Sequence, residues 1–208
     1  MKKTAFILIV SFALLANAGV AQDLRSLTFG PKVGLNLSNV YDTEGENFVA
    51  DSKIGLAGGL FVSLPLGSLF GVQPELLFSQ KGFKATGSIL GNSYSFTRTL
   101  NYIDLPLLIA VKPAPSFTLL VGPQFAFLMS RKDVFTNSAL TIDQEEQFNN
   151  ENLRKNTLGV VAGFDLNLNR IVVGVRAGYD LSQNNGDGTS TTPRYKNAWY
   201  QATLGFRL

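Results

Sequence analysis

Nine charged residues fall in phase with the polar half of alternating apolar/polar stretches: Lys32, Glu75, Lys81, Asp104, Lys112, Asp165, Arg176, Asp180 and Arg207. Two carboxylates such as Glu75 and Asp104 are the residue types for general acid–base work. A ring of mixed charges also suits a selective pore. A third use is structural, because a buried charge is tolerated only when it is paired. Five of the nine are basic and four acidic, and that near balance favours pairing. The chain has no histidine, so neither a Ser-His-Asp triad nor a His-containing metal site can be assembled. It has no cysteine, and therefore no disulfide or thiol chemistry. No glycine-rich phosphate loop of the usual spacing occurs. NNGDGTS (184–190) lacks an acidic residue at the end of a twelve-residue calcium frame and reads as a turn-rich tip. The expectation is a protein that is no enzyme, with no catalytic residue, no cofactor and no metal.

The elements that position these charges are strands. Alternation predicts them at 28–38, 54–65, 70–82, 101–112, 117–130, 157–168, 170–181 and 197–208. In the first, Phe29, Pro31, Val33, Leu35 and Leu37 share one face, and Lys32, Asn36 and Ser38 share the other. The apolar register of all eight carries no charge. A lipid-facing Lys or Arg costs about 2–4 kcal/mol at the bilayer midplane, so a charge-free outward face is what membrane embedding selects. Residues 54–74 are uncharged and long enough for a membrane helix, but Pro65 and five glycines interrupt them and the period is 2. A soluble lipocalin-type barrel would turn the apolar register inward. Here the inward register carries nine charges, which a greasy ligand pocket would not tolerate. The fold class expected is all-β: an eight-stranded antiparallel up-and-down transmembrane barrel.

Eight strands leave an interior just wide enough for side chains to fill. A structural lumen network is therefore expected from Lys32, Glu75, Asp104, Gln124, Asp165, Arg176 and Arg207, with Lys32, Glu75, Gln124 and Arg176 near mid-height. A charge-lined pore is the alternative.

Lys2 and Lys3, the uncharged run Ala5–Leu15 and the small residues Ala16, Ala18 and Ala21 have the order of a cleavable signal peptide, expected over 1–21. The barrel domain then spans 22–208 and resides in the outer membrane. Without Lys2 and Lys3 the 18 basic side chains become 16 against 15 acidic ones, a net +1. That balance offers no basic face for nucleic acid. Links at 66–69, 113–116 and Asn169 are short, whereas 39–53, 83–100, 131–156 and 182–196 are long and polar. Short turns on the periplasmic side and long loops outside are the outer-membrane arrangement. The acidic loop residues Asp42, Glu44, Glu46 and Asp51, and Asp143, Glu145, Glu146 and Glu151, suit solvated loops. They also suit bridging of divalent cations to lipopolysaccharide.

GPKVGLNLS (30–38), GPQFAFLMS (122–130) and GVRAGYDLS (174–182) repeat one pattern, with QPELLFSQ (73–80) a looser copy. The chain thus reads as four β-hairpins in series. Pro31, Pro74, Pro106 and Pro123 sit inside strands, although a closed barrel has no edge to accommodate them.

The runs VQPELLFSQKG (72–82), LNYIDLPLLIAVKP (100–113) and VGPQFAFLMS (121–130) give the mature chain a family resemblance. It resembles the outer-membrane β-barrel domain family common in Bacteroidota, whose members are labelled porin-family or PorT-family proteins. The resemblance implies an OmpA/OmpX-like eight-stranded barrel and, through PorT, an accessory role in secretion. LGFRL (204–208) resembles the terminal signal read by the barrel-assembly machinery, with Leu208 where that signal has Phe. The partners expected are outer-membrane lipid, lipopolysaccharide, that machinery during insertion, and a surface or secretion partner.

Overall fold

The computed structural model describes residues 27–41, 50–89, 92–137, 141–146, 155–183 and 195–208. The expected signal peptide (1–21), the 184–190 tip and the acidic residues Asp42, Glu44, Glu46 and Glu151 lie outside these residues. The strands are β1 (Thr28–Tyr41), β2 (Ala50–Leu66), β3 (Phe70–Ile89), β4 (Asn92–Ala114), β5 (Phe117–Asn137), β6 (Thr141–Glu146), β7 (Asn156–Leu168), β8 (Ile171–Asp180) and β9 (Lys196–Phe206). Eight of them close a ring in the order β1-β2-β3-β4-β5-β7-β8-β9, every neighbour antiparallel, with β9 returning to pair with β1. The eight-stranded up-and-down barrel expected from alternation is the fold observed.

Outward positions are apolar and open. Ile54 and Tyr200 are each 67% exposed, and Val33, Leu56, Ile109, Val121 and Leu204 lie on the same outer surface. Such a surface would be a liability in water and is at home in hydrocarbon. Inward positions alternate with them: β8 runs exposed Ile171, buried Val172, exposed Val175, buried Arg176. Among the described residues no helix is long and apolar enough to cross a membrane.

Two of the stretches expected as long loops differ from that expectation. Residues 83–89 and 92–100 continue β3 and β4 as a paired hairpin, out to Ile89 opposite Asn92. Residues 131–137 extend β5, and β6 lies inside the expected 131–156 loop, pairing Arg131–Thr136 with Glu146–Thr141. Among the described residues the β3–β4–β5 wall therefore rises beyond the other strands of the ring. Alternation stops being legible there because the outward face leaves lipid, and polar residues such as Lys84 and Thr86 take it.

Pro31, Pro74, Pro106 and Pro123 follow one rule. Each pairs with the next strand of the ring: Pro31 with Leu60, Pro74 with Leu107, Pro106 with Gln124, Pro123 with Val160. On the other side each falls in a lapse of the ladder. β2–β3 pairing skips from Phe61/Glu75 to Leu64/Val72, β3–β4 from Pro74/Leu107 to Leu77/Asp104, and β4–β5 from Pro106/Gln124 to Ile109/Val121. The β1–β9 ladder starts only at Lys32. A residue without an N–H cannot serve both neighbours, so the ladder opens on the side its nitrogen faces.

Short turns close one end of the barrel, and at Asn169 the backbone takes a left-handed φ of 58°, which asparagine tolerates.

Candidate functional site

The barrel interior is the place where chemistry-bearing side chains converge. At mid-height, Lys32 (β1), Glu75 (β3), Asp165 (β7) and Arg176 (β8) meet across the lumen, each 4% exposed or less. Glu75 Oε1 accepts from Lys32 Nζ at 2.7 Å, from Arg176 Nη2 at 2.9 Å and from Gln73 Nε2 at 2.8 Å. Arg176 Nη1 donates to Asp165 Oδ1 at 2.8 Å, and Gln73 Nε2 also reaches Asp165 Oδ2 at 3.3 Å. Two cations thus face two anions, and the cluster is neutral. No two of the four belong to adjacent strands except Asp165 and Arg176, so barrel curvature brings the rest together.

A second cluster lies nearer the long-loop end. Lys81 Nζ sits 3.0 Å from Asp104 Oδ2, with both side chains fully buried. The same ammonium lies 3.8 Å from the Trp199 ring centroid and 5.0 Å from that of Tyr102, a cation–π arrangement strengthened by desolvation. Asn197 Nδ2 donates to Asp180 Oδ2 at 2.6 Å, and Gln201, Asn36 and Ser79 form a chain of side-chain bonds beside them. Trp199 reaches this position because residue 178 is glycine: a Cβ there would fall 2.2 Å from the indole.

Above the apolar belt an aromatic cap gathers on the inner side of the long-loop end. Phe83 and Tyr195 meet edge to face at 5.4 Å, and Phe83 is 6.0 Å from Phe96. Arg98 grips Asp133 with two bonds of 2.8 and 2.7 Å and donates to Tyr195 Oη at 2.8 Å. Asp133 faces inward because β5 carries one extra residue near Met129. Asn101 pairs with Ser130 but Tyr102 with Leu128, and the shift reverses the strand's faces above it. Burial works against the Arg98 charge, but Asp133 and Tyr195 outweigh it and hold its pKa above the ordinary value. Burial pushes the Tyr195 hydroxyl up, with Arg98 pulling the other way.

Of the seven residues expected in a lumen network, the structure brings Lys32, Glu75, Asp165 and Arg176 into one cluster. It places Asp104 in the second cluster, with Lys81. Arg207 stands at the short-turn end, bonded to Asn167 Oδ1. Gln124 is buried beside Asp104, with its side-chain amide on that carboxylate, and so belongs with the second cluster. Sequence reading missed Gln73, Trp199 and the Arg98–Asp133–Tyr195 group. Arg98 and Leu100 do continue the phase of Tyr102 and Asp104 on β4, which is the signal that would have found them. The lumen is also less uniformly polar than alternation suggests, since Leu108, Ala110, Leu120 and Val161 line its β4–β5–β7 wall.

Chemically, this interior is a set of ion pairs, in which Glu75 Oε2 and Arg176 Nε keep no hydrogen-bond partner among the described residues. The carboxylates of Glu75 and Asp165 are engaged by cations, and among the described residues no group of three His, Cys, Asp or Glu side chains is placed to hold a metal.

The family described as outer membrane protein beta-barrel domain matches residues 20–186. Three solved structures are similar in fold. Ail, the attachment invasion locus protein of Yersinia pestis, is 14% identical with a TM-score of 0.47, covering 87% of this chain and 98% of Ail. Neisserial surface protein A is 10% identical with a TM-score of 0.47, covering 86% and 97%. OprG from Pseudomonas aeruginosa is 13% identical with a TM-score of 0.38, covering 88% and 95%. No curated protein matches the chain. The matched span stops short of β9, the strand whose pairing with β1 closes the ring.

Proposed function

The chain belongs to the outer membrane protein beta-barrel domain family, and from that premise we propose that it is a non-enzymatic outer-membrane barrel with a closed lumen. Its role is structural or one of surface contact, carried by the long-loop end. One observation carries the proposal: the Lys32–Glu75–Arg176–Asp165 cluster spans the lumen as a neutral, fully buried set of ion pairs. Opening a path through it would strand charges in a low-dielectric interior, at several kcal/mol per ion. The aromatic cap of Phe83, Phe96 and Tyr195 adds a second obstruction at the outer mouth. With the interior occupied, the surfaces left to meet a macromolecular partner are the lipid-facing wall and the loops, the usual place for binding on a rigid scaffold.

Planar-bilayer conductance of the purified chain tests this. The expected result is no stable unitary conductance, and reproducible open channels would replace the proposal with a passive small-solute porin. A role as an accessory barrel in secretion is supported only by the PorT-like runs at 72–82, 100–113 and 121–130. Crosslinking and pull-down from native membranes checks it, and recovery of the barrel without a stable partner would count against it. Lipopolysaccharide is the partner expected at the outer surface and the barrel-assembly machinery during insertion.

A further inference from the structure

Charge is balanced at mid-lumen and unbalanced at the short-turn end. There Lys112, at the end of β4, turns its Nζ inward to Ser63 Oγ at 3.4 Å, a contact at the limit of a hydrogen bond. Arg207, just after β9, donates one amine to Asn167 Oδ1, while its buried Nε has no partner. Lys112 lies within Coulombic range of Arg207. Among the described residues no carboxylate forms an ion pair with either. Asp165, the carboxylate nearest in field to Arg207, is already held by Arg176 and Gln73.

The neutral groups around the two cations are poised to donate. Ser63 Oγ accepts from Lys112 and keeps its own proton free. Thr118 Oγ1 accepts from Asn167 Nδ2 at 2.9 Å and does likewise. Ser63 and Thr118 are 4% and 2% exposed, so both hydroxyls point into the lumen rather than to lipid. An ammonium, a guanidinium and two hydroxyls, drawn from β2, β4, β5 and the segment after β9, thus face the same end of the lumen, and among the described residues neither cation is paired with a carboxylate. Like charges held together in a partly desolvated mouth repel until a counter-ion joins them, and charge-assisted bonds to an oxyanion are the strong ones.

We propose that the short-turn mouth of the lumen is an anion-binding vestibule, in which Lys112, Arg207, Ser63 and Thr118 take a phosphate or carboxylate group from the periplasmic side. The inward aim of Lys112 selects a soluble anion over a phospholipid headgroup. The proposal does not depend on whether the lumen conducts.

The test uses the full chain in maltoside micelles, free of phosphate, with inorganic phosphate as the probe at constant ionic strength. The Nε–Hε resonance of Arg207 is expected to shift saturably. K112Q should weaken the apparent affinity by about tenfold, with K112R retaining it and K53Q, at the opposite end of the barrel, leaving it unchanged. Absence of a saturable shift, or a shift indifferent to K112Q, overturns the proposal. A shift that appears only when phosphatidylglycerol is added overturns the soluble-anion assignment and gives the site to a lipid headgroup.

Discussion

Arg176 is the side chain on which the mid-lumen balance turns, because among the described residues it is the one cation paired with both carboxylates. Replacing it with Met leaves Asp165 without a cation, holding the 3.3 Å bond from Gln73, and leaves Glu75 with Lys32 and Gln73. Breaking a buried pair on one side costs about 3–5 kcal/mol. Lys32→Met should cost less, since Glu75 keeps Arg176 and Gln73. Urea unfolding in micelles reads both, and equal losses would mean that Lys32 carries as much as Arg176. Tyr195 makes a pH-dependent contribution with a defined sign. Its hydroxyl titrates higher in the folded protein than the ordinary value of about 10. Above that pH the unfolded chain loses the proton first and binds fewer protons than the folded one, so stability falls as pH rises. The full contribution is present below about pH 10 and is lost as pH climbs through the folded value. Tyr195→Phe should flatten the alkaline limb of the stability profile relative to the parent; an unchanged slope would refute the assignment. Neither group was fully legible in the sequence. Lys32, Glu75 and Arg176 were recognisable as inward, but their meeting depends on how three non-adjacent strands stagger around the ring, which spacing along the chain does not encode.

At the scale of the element, alternation located the membrane-crossing part of every strand and lost the strands where the contrast between their faces ended. Phe83 and Ala85 stay in phase with Lys81, and Arg98 and Leu100 with Tyr102. Yet Lys84, Thr86, Thr97 and Thr99 oppose them with polar side chains, so both faces read as mixed. Gly82 marks the transition: its φ of 139° and a Cβ position only 2.0 Å from the Arg98 carbonyl oxygen exclude other residues. The prolines were visible in the sequence but not their rule, which needs the identity of each strand's two neighbours. That rule makes a prediction about one amide. In Pro123→Ala the new N–H faces β4 across the lapse between Pro106/Gln124 and Ile109/Val121. It should close the ladder and exchange slowly with solvent deuterium. The gain of about 0.5–1.5 kcal/mol from the bond is offset by about 0.4–1 kcal/mol from the freer unfolded chain, so amide protection rather than stability is the readout. Rapid exchange at residue 123 would show that the lapse has another cause.

For the whole molecule, two surfaces of opposite character follow from one alternation, and the border between lipid and water falls part-way up the strands rather than at their ends. The β3–β4–β5 wall crosses that border and continues, carrying the cap with it. This places a boundary on the outer surface that substitution can map. Val121, 47% exposed on β5, belongs to the charge-free belt, whereas Thr86, exposed on β3, belongs to the projecting wall beyond Phe83. Both side chains point away from the lumen and, among the described residues, neither makes a side-chain hydrogen bond, so substitution at either tests the surrounding medium. Val121→Lys should cost about 2–4 kcal/mol in equilibrium unfolding from lipid bilayers, and Thr86→Lys about 0–1 kcal/mol. The difference should shrink in detergent, where a micelle deforms around the new charge more easily than a bilayer does. Equal costs at the two sites in bilayers would mean that the hydrocarbon reaches the top of the β3–β4 hairpin. The cap of Phe83, Arg98 and Tyr195 would then lie inside the membrane instead of above it, and the loop-end surface available to partners would be correspondingly smaller.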